Sequence, residues 1–239
     1  MIRPAALVAA SHGTSSAAGQ AAVAALVAAV RRASPDLVVE DAFVDVQRPD
    51  VASVLDALGA GHDPVIVPLL LSAGYHVHVD LAREAARAPG PAMLGAALGP
   101  DDRLVEVLRE RLGEAGLRDD DRVVLAAAGS SDVRAVADCR DVGRRLARRI
   151  GRPVAVGFLS AARPALADAI SRTRATHPVS RVVVASYLLA PGYFHDLAVV
   201  AGANVTTAPL LRPDAPPPAA IVELVLDRFA AARVLSRAA

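Results

Sequence analysis

The sequence predicts an α/β protein built as two tandem doubly wound parallel-sheet lobes, the two halves of an internal duplication. Two observations predict it. Short runs rich in Val, Ile and Leu alternate with longer amphipathic segments, a pattern that short right-handed crossovers turn into parallel sheets. The second half also repeats the first. Ile66–Asp80 (IVPLLLSAGYHVHVD) returns as Val184–Asp196 (VASYLLAPGYFHD), Leu7–Ser16 (LVAASHGTSS) as Val124–Asp132 (VLAAAGSSD), and Phe43–Pro49 (FVDVQRP) as Phe158–Pro164 (FLSAARP). The polar stretch Gly113–Asp121 lies between the copies and divides the chain into lobes 1–117 and 118–239, each long enough to bury its own core.

In the first lobe Ala5–Ala10, Leu37–Val46, Pro64–Leu71 and Ala92–Leu98 read as strands buried on both faces, since they lack strict alternation. Ser16–Ala33, Pro49–Leu58, His78–Ala88 and Asp101–Leu112 read as the helices between and after them. Pro49 suits a helix start, and Ser34-Pro35 suits a helix stop. In the second lobe the strands fall near Val123–Ala127, Pro153–Leu159, Val182–Leu189 and Asn204–Pro209. Its helices fall near Val133–Ile150, Pro164–Thr176, Phe194–Val200 and Ala219–Ala232.

Composition narrows the function classes. The chain is 54% hydrophobic, much of it alanine, yet no apolar run reaches the roughly 18 to 20 residues of a membrane span, so a soluble, cytoplasmic protein is expected. The apolar start resembles a signal peptide only superficially, because the same pattern recurs at Arg122–Ala128 inside the chain. A net charge of +1, 3% aromatics and no Trp leave no footprint for nucleic acid. The single cysteine, Cys139, excludes an internal disulfide and a multi-thiolate metal site, and reads as a buried helix thiol.

Comparing the chain with itself also singles out its chemistry. His12, Asp45 and His76 belong to the first copy only, replaced by Ala128, Ser160 and Phe194. His12 and His76 follow strands and Asp45 ends the second strand, so all three fall at carboxyl ends of strands, where open parallel sheets bind ligands. Packing histidines would be expected to persist as often as their neighbours; these two vanish together with the carboxylate. Two imidazoles and one carboxylate suit a borderline divalent ion such as Fe²⁺, Co²⁺, Ni²⁺ or Zn²⁺, and so few ligands leave coordination open for exchange or catalysis. Asp45 also reads as a carboxylate ahead of the helix at Pro49. His78 and Asp80 are candidate orienting partners of His76, Asp80 serving equally as a helix cap. His195, one position off the repeat of His76, is a candidate facing the same cleft from the second lobe. His62 and His177 lie in turn sequences, and Arg144–Arg149 reads as the solvent face of a helix.

These motifs, a first strand ending in His-Gly-Thr, then FVDVQRPDV and VPLLLSAGYHVHVDLA, with GSSD at Gly129–Asp132, resemble the sirohydrochlorin chelatases over roughly residues 5–235. The resemblance implies a chelatase-like fold that inserts Fe²⁺ or Co²⁺ into sirohydrochlorin in sirohaem or cobalamin synthesis. The metal would be a substrate, with no permanently bound cofactor and no nucleic-acid or membrane partner. It implies that His12 and His76 are the metal-binding and catalytic residues and that Asp45, where the family often has glutamate, assists at the metal. Ser11, Gly13, Thr14, Arg48, Gly74, Tyr75, His78 and His195 are the candidate substrate-binding positions, and Arg48, Arg83 and Arg163 the candidate partners of the macrocycle's carboxylates. Two other readings use some of the same residues. A non-catalytic tetrapyrrole-binding or metal-delivery protein would need all of them. A histidine phosphatase or mutase would surround its histidine with arginines, whereas Ser11 precedes His12 and the next arginine is Arg31.

Overall fold

Two four-stranded parallel sheets, each doubly wound, make up the molecule. The computed structural model describes residues 3–72 and 74–237, apart from the side chains of 75–78 and 235–237. In the first half the order is β1 (Ala5–Ser11), α1 (Ala17–Ala33), β2 (Val38–Phe43), α2 (Val51–Leu58), β3 (Asp63–Pro68), α3 (Tyr75–Arg87), β4 (Met93–Leu94) and α4 (Asp102–Glu114). The second half runs β5 (Arg122–Ala127), α5 (Val133–Ile150), β6 (Val154–Phe158), α6 (Leu166–Thr176), β7 (Val182–Tyr187), α7 (Tyr193–Val199), β8 (Val205–Thr206) and α8 (Ala219–Arg237). The strand orders β2-β1-β3-β4 and β6-β5-β7-β8 are equivalent, and each reverses direction of winding between its first and third strands. That switch point opens a crevice beyond the strands' carboxyl ends.

Local chemistry sets the helix starts. Ser16, Asp50, Asp101 and Asp132 cap α1, α2, α4 and α5, each accepting a backbone N–H of the first turn. The edge strands are shorter than their apolar runs suggest: β4 and β8 hold two residues each. Pairing then becomes intermittent in the same way in both halves. Leu98 N–H reaches Leu70 O at 2.8 Å and Leu210 N–H reaches Leu188 O at 3.0 Å. Such matching bonds fix the repeat register. His12 and Ala128 accept from Asp45 and Ser160 N–H at 3.1 and 2.9 Å, and His76 and Phe194 are the second residues of α3 and α7.

The halves do not keep separate cores. The outer face of the first sheet is covered by α2 and α3, that of the second by α6 and α7. On the inner faces the last helix of each half is exchanged: α8 packs on β3 and β4 beside α1, while α4 packs on β7 beside α5. A single apolar core therefore runs from Leu7 and Leu26 through Leu104, Leu108 and Leu224 to Leu125 and Val183. Two arginines fasten the exchange. Arg111 of α4 donates to Pro209 O (3.1 Å) and Leu210 O (2.9 Å), and Arg228 of α8 donates to Ala97 O (2.9 Å) and Leu98 O (3.0 Å). The arginine-rich face of α5 is partly engaged here rather than solvated, since Arg145 pairs with Asp102 and Arg149 with Glu106 of α4.

Candidate functional site

The loops that follow β1, β3, β5 and β7 surround one cavity of about 660 Å³ between the two sheets. Its first-lobe wall includes Ser11, His12, Gly13, Thr14 and Gly74, and its second-lobe wall includes His195. The histidines at 12 and 195 thus approach one space from opposite lobes. Leu69–Leu71, Leu188, Leu189 and Phe194 make most of the remaining wall apolar, and Tyr187 and Cys139 back it.

His12 is exposed at the end of β1, where the strand gives way to Gly13. Gly13 has φ +87°, and a Cβ there would lie 2.9 Å from Asp45 O, so this loop lies directly on the loop after β2. Parallel pairing continues past both strand ends, through Val44 N–H to Ser11 O (2.9 Å) and Asp45 N–H to His12 O. Asp45 is therefore a backbone neighbour of His12, although its exposed side chain is not part of the cavity wall. Val46, left-handed at φ 45°, centres a tight turn closed by Gln47 N–H on Asp45 O; Ala161 (φ 50°) does the same in the second lobe. From the other side, Gly19 of α1 meets the second lobe so closely that a Cβ would sit 2.3 Å from Pro191 O.

Gly74 precedes α3 and lines the cavity, and the backbone of His76 and His78 lies in the first turn of that helix. The side chains of Tyr75, His76 and His78 lie outside the described residues. Among the described side chains no group of three or more His, Cys, Asp and Glu gathers at one point.

His195 is half-buried. Its Nδ1 is enclosed without a hydrogen-bond partner, and burial lowers its pKa against the opposing pull of Asp196. A proton added at Nδ1 would enter an enclosed, unpartnered position, so the ring favours its neutral form. Burial acts in the opposite sense on the acids behind the wall. It pushes the Cys139 thiol up to about 11 and raises Tyr187 well above its ordinary value. The Tyr187 hydroxyl donates to Leu71 O at 2.7 Å, tying the lobes together at the cavity floor.

The candidate arginines lie elsewhere. Arg48 pairs with Asp50 and borders a smaller cavity of about 380 Å³ beside α1; Arg83 pairs with Asp80 (3.2 Å) and Arg163 with Asp168 (4.0 Å). None of them lines the larger cavity, and neither does any other arginine among the described residues. Each is drawn instead to an aspartate within five positions along the chain. The sequence reading also passed over Gln47, which lines both cavities and whose Oε1 accepts Thr14 N–H at 2.9 Å. The signal was available: its counterpart in the second lobe is Ala162.

Relatives share both the motifs and the architecture. A sirohydrochlorin ferrochelatase of Priestia megaterium is 32% identical over 135 residues, 53% of this chain and 50% of that one. A sirohydrochlorin cobaltochelatase of Sulfurisphaera tokodaii is 34% identical over 79 residues, 32% of this chain and 66% of that one. The chain thus spans about half the length of the first relative and just under two thirds of the second. Among solved structures, SirB from Bacillus subtilis with Fe³⁺ superposes with a TM-score of 0.78 at 20% identity, covering 98% of each chain. CbiX, the terminal enzyme for biosynthesis of siroheme in denitrifying bacteria, gives 0.64 at 20% identity, covering 93% of this chain and 98% of its own. The fold is common to all of these structures. No helix among the described residues is long and apolar enough to cross a membrane. The family model for CbiX matches residues 6–115 and 122–201, both copies of the repeat; the chain belongs to the CbiX family.

Proposed function

We propose that the protein is a sirohydrochlorin chelatase that inserts a divalent metal, Fe²⁺ or Co²⁺, in sirohaem or cobalamin synthesis. The observation that carries this reading is the asymmetry of the repeat. His12, Asp45 and His76 of one lobe correspond to Ala128, Ser160 and Phe194 of the other, and His12 lines a cavity whose second-lobe wall is largely apolar. A macrocycle seated there would rest one face on Leu188, Leu189 and Phe194 and turn its nitrogens toward the first lobe.

His12 and His76 are assigned to hold the incoming ion, with Asp45 beside them acting directly or through water. As the ion binds the ring, the two pyrrole N–H protons leave, and each imidazole is a suitable acceptor once it releases the metal. Ser11, Gly13, Thr14, Gly74, Tyr75, His78 and His195 are assigned to holding the macrocycle. Arg48 is less suited to that task, since it borders the smaller cavity. The substrate's carboxylates would project toward the amino ends of α1 and α3, which begin at the uncharged Ser16 and Gly74 and present positive dipole ends.

The test is the anaerobic rate of Fe²⁺ and Co²⁺ insertion into metal-free sirohydrochlorin, measured above the spontaneous background. Wild type should accelerate it, and His12→Ala and His76→Ala should each abolish the acceleration without loss of fold. Tetrapyrrole binding without accelerated insertion would instead mark a binding or delivery protein.

A further inference from the structure

We infer that Gln47 and Gln20 are positioning residues that clamp the loop carrying His12. This rests on the proposed role of His12. Thr14, two residues beyond it, is held from both sides: its N–H donates to Gln47 Oε1 at 2.9 Å, and its carbonyl accepts Gln20 Nε2 at 2.8 Å. The two bonds fix both amide orientations, because the backbone N–H can only donate and the carbonyl can only accept.

The clamp belongs to the first lobe alone. Counted from Gly13 and Gly129, the position of Gln20 is Val136, and in the match of Phe43–Pro49 with Phe158–Pro164 the position of Gln47 is Ala162; neither carries a side-chain donor or acceptor. The loop geometry is otherwise repeated, including the left-handed Gly13 and Gly129 and the turns centred on Val46 and Ala161. The two amides are thus absent from the lobe that lacks the imidazoles, although that lobe folds the same loop without them. Their function is therefore not to form the loop. It is to hold the His12–Thr14 segment still between the turn at Val46 and the second lobe's Pro191–Gly192, and so to fix where the imidazole presents itself to the ion. Gln47 is itself fixed, its own N–H being closed on Asp45 O, so the clamp also ties the histidine's position to that of the carboxylate.

The experiment compares Gln47→Leu, which keeps the volume and loses the acceptor, with Gln47→Glu, which keeps an acceptor oxygen, and with Gln20→Leu and His12→Ala. Cobalt insertion into sirohydrochlorin is measured alongside Thr14 amide exchange by NMR. Gln47→Leu should lower kcat about tenfold to a hundredfold, the cost of a misplaced catalytic group. It should leave KM for the tetrapyrrole unchanged and speed exchange of the Thr14 amide. Gln47→Glu should restore both, and Gln20→Leu should lower kcat by a smaller factor. A raised KM with unchanged kcat would overturn the proposal, making Gln47 a substrate contact, and so would unaltered Thr14 exchange. If His12→Ala is inactive while Gln47→Leu retains full activity, the clamp alone fails; full activity in His12→Ala would overturn the reading on which it rests.

Discussion

Replacing Arg111 with methionine tests whether the exchanged helices are fastened as described. The side chain is only 7% exposed and donates to two carbonyls of the opposite half, Pro209 O and Leu210 O, on residues that are themselves buried. Methionine keeps much of the stem's packing and offers no donor, so both carbonyls lose their partner. Hydrogen bonds from a charged donor contribute about 1.5 to 3 kcal/mol each, which puts the loss near 3 kcal/mol at the lower bound. The remaining bond, to Glu114, involves a half-exposed carboxylate and adds little. For a chain of this length that loss corresponds to a fall in Tm of about 6 to 12 °C. Arg228→Met should fall by less, because that side chain is 23% exposed and water can replace part of what it donates. Arg111→Lys should recover less than half of the loss, since an ammonium cannot reproduce the guanidinium fork that spans two carbonyls. Differential scanning calorimetry with a matching urea series reads all three. A Tm for Arg111→Met within about 2 °C of wild type would refute the assignment of these bonds as fasteners of the exchange.

Residues 1–117 and 118–239, expressed separately, should each lack a cooperative thermal transition as a monomer, and mixing them should restore one; a cooperative monomeric 1–117 in sedimentation and calorimetry would contradict the shared core. Cys139, its thiol pushed up to about 11 by burial, should react with iodoacetamide at pH 8 about two orders of magnitude more slowly than an exposed cysteine in the same assay. Equal rates would mean that the thiol is open to solvent. His195 has a folded-state pKa below its ordinary 6.5, so the unfolded chain binds its proton first as the pH falls. Its contribution is complete above about pH 6.5 and is lost as the pH drops through the lower folded value. The urea midpoint should therefore fall more steeply below pH 6.5 in wild type than in His195→Gln, and identical acid limbs would remove His195 as a contributor.

Much of the fold was legible because duplication supplied a second copy of each pattern. Ser16 and Asp132 stand at equivalent helix starts and both cap. The exchange of α4 and α8 was not legible. An amphipathic helix announces that one face is buried but not which sheet buries it, and Leu104, Leu108 and Leu112 would pack as well on either. The short β4 and β8 escaped for a related reason. Their apolar runs are only partly buried, and Gly95 and Gly99 in one and Ala208 and Pro209 in the other accompany a chain that leaves regular pairing. At the site, comparing the copies directed attention to groups that ionise or bind metals, so Gln47 passed unnoticed despite being lost in the same way as Asp45. Arginine placement was illegible because local aspartates compete for each guanidinium over distances that no motif encodes.

The crossing of α4 and α8 has a consequence for how such a site can change. Two separate chains with this packing would be a symmetric pair, and any substitution would appear on both walls of the cavity at once. An imidazole gained for one wall would be imposed on the other, and an apolar surface suited to a flat ligand would erase the ligands opposite. Joining the halves through Ala115–Asp121 makes the pairing intramolecular and frees the two walls to diverge. One wall could then lose its histidine without the other following, so the covalent link is what permits a cavity with two different sides.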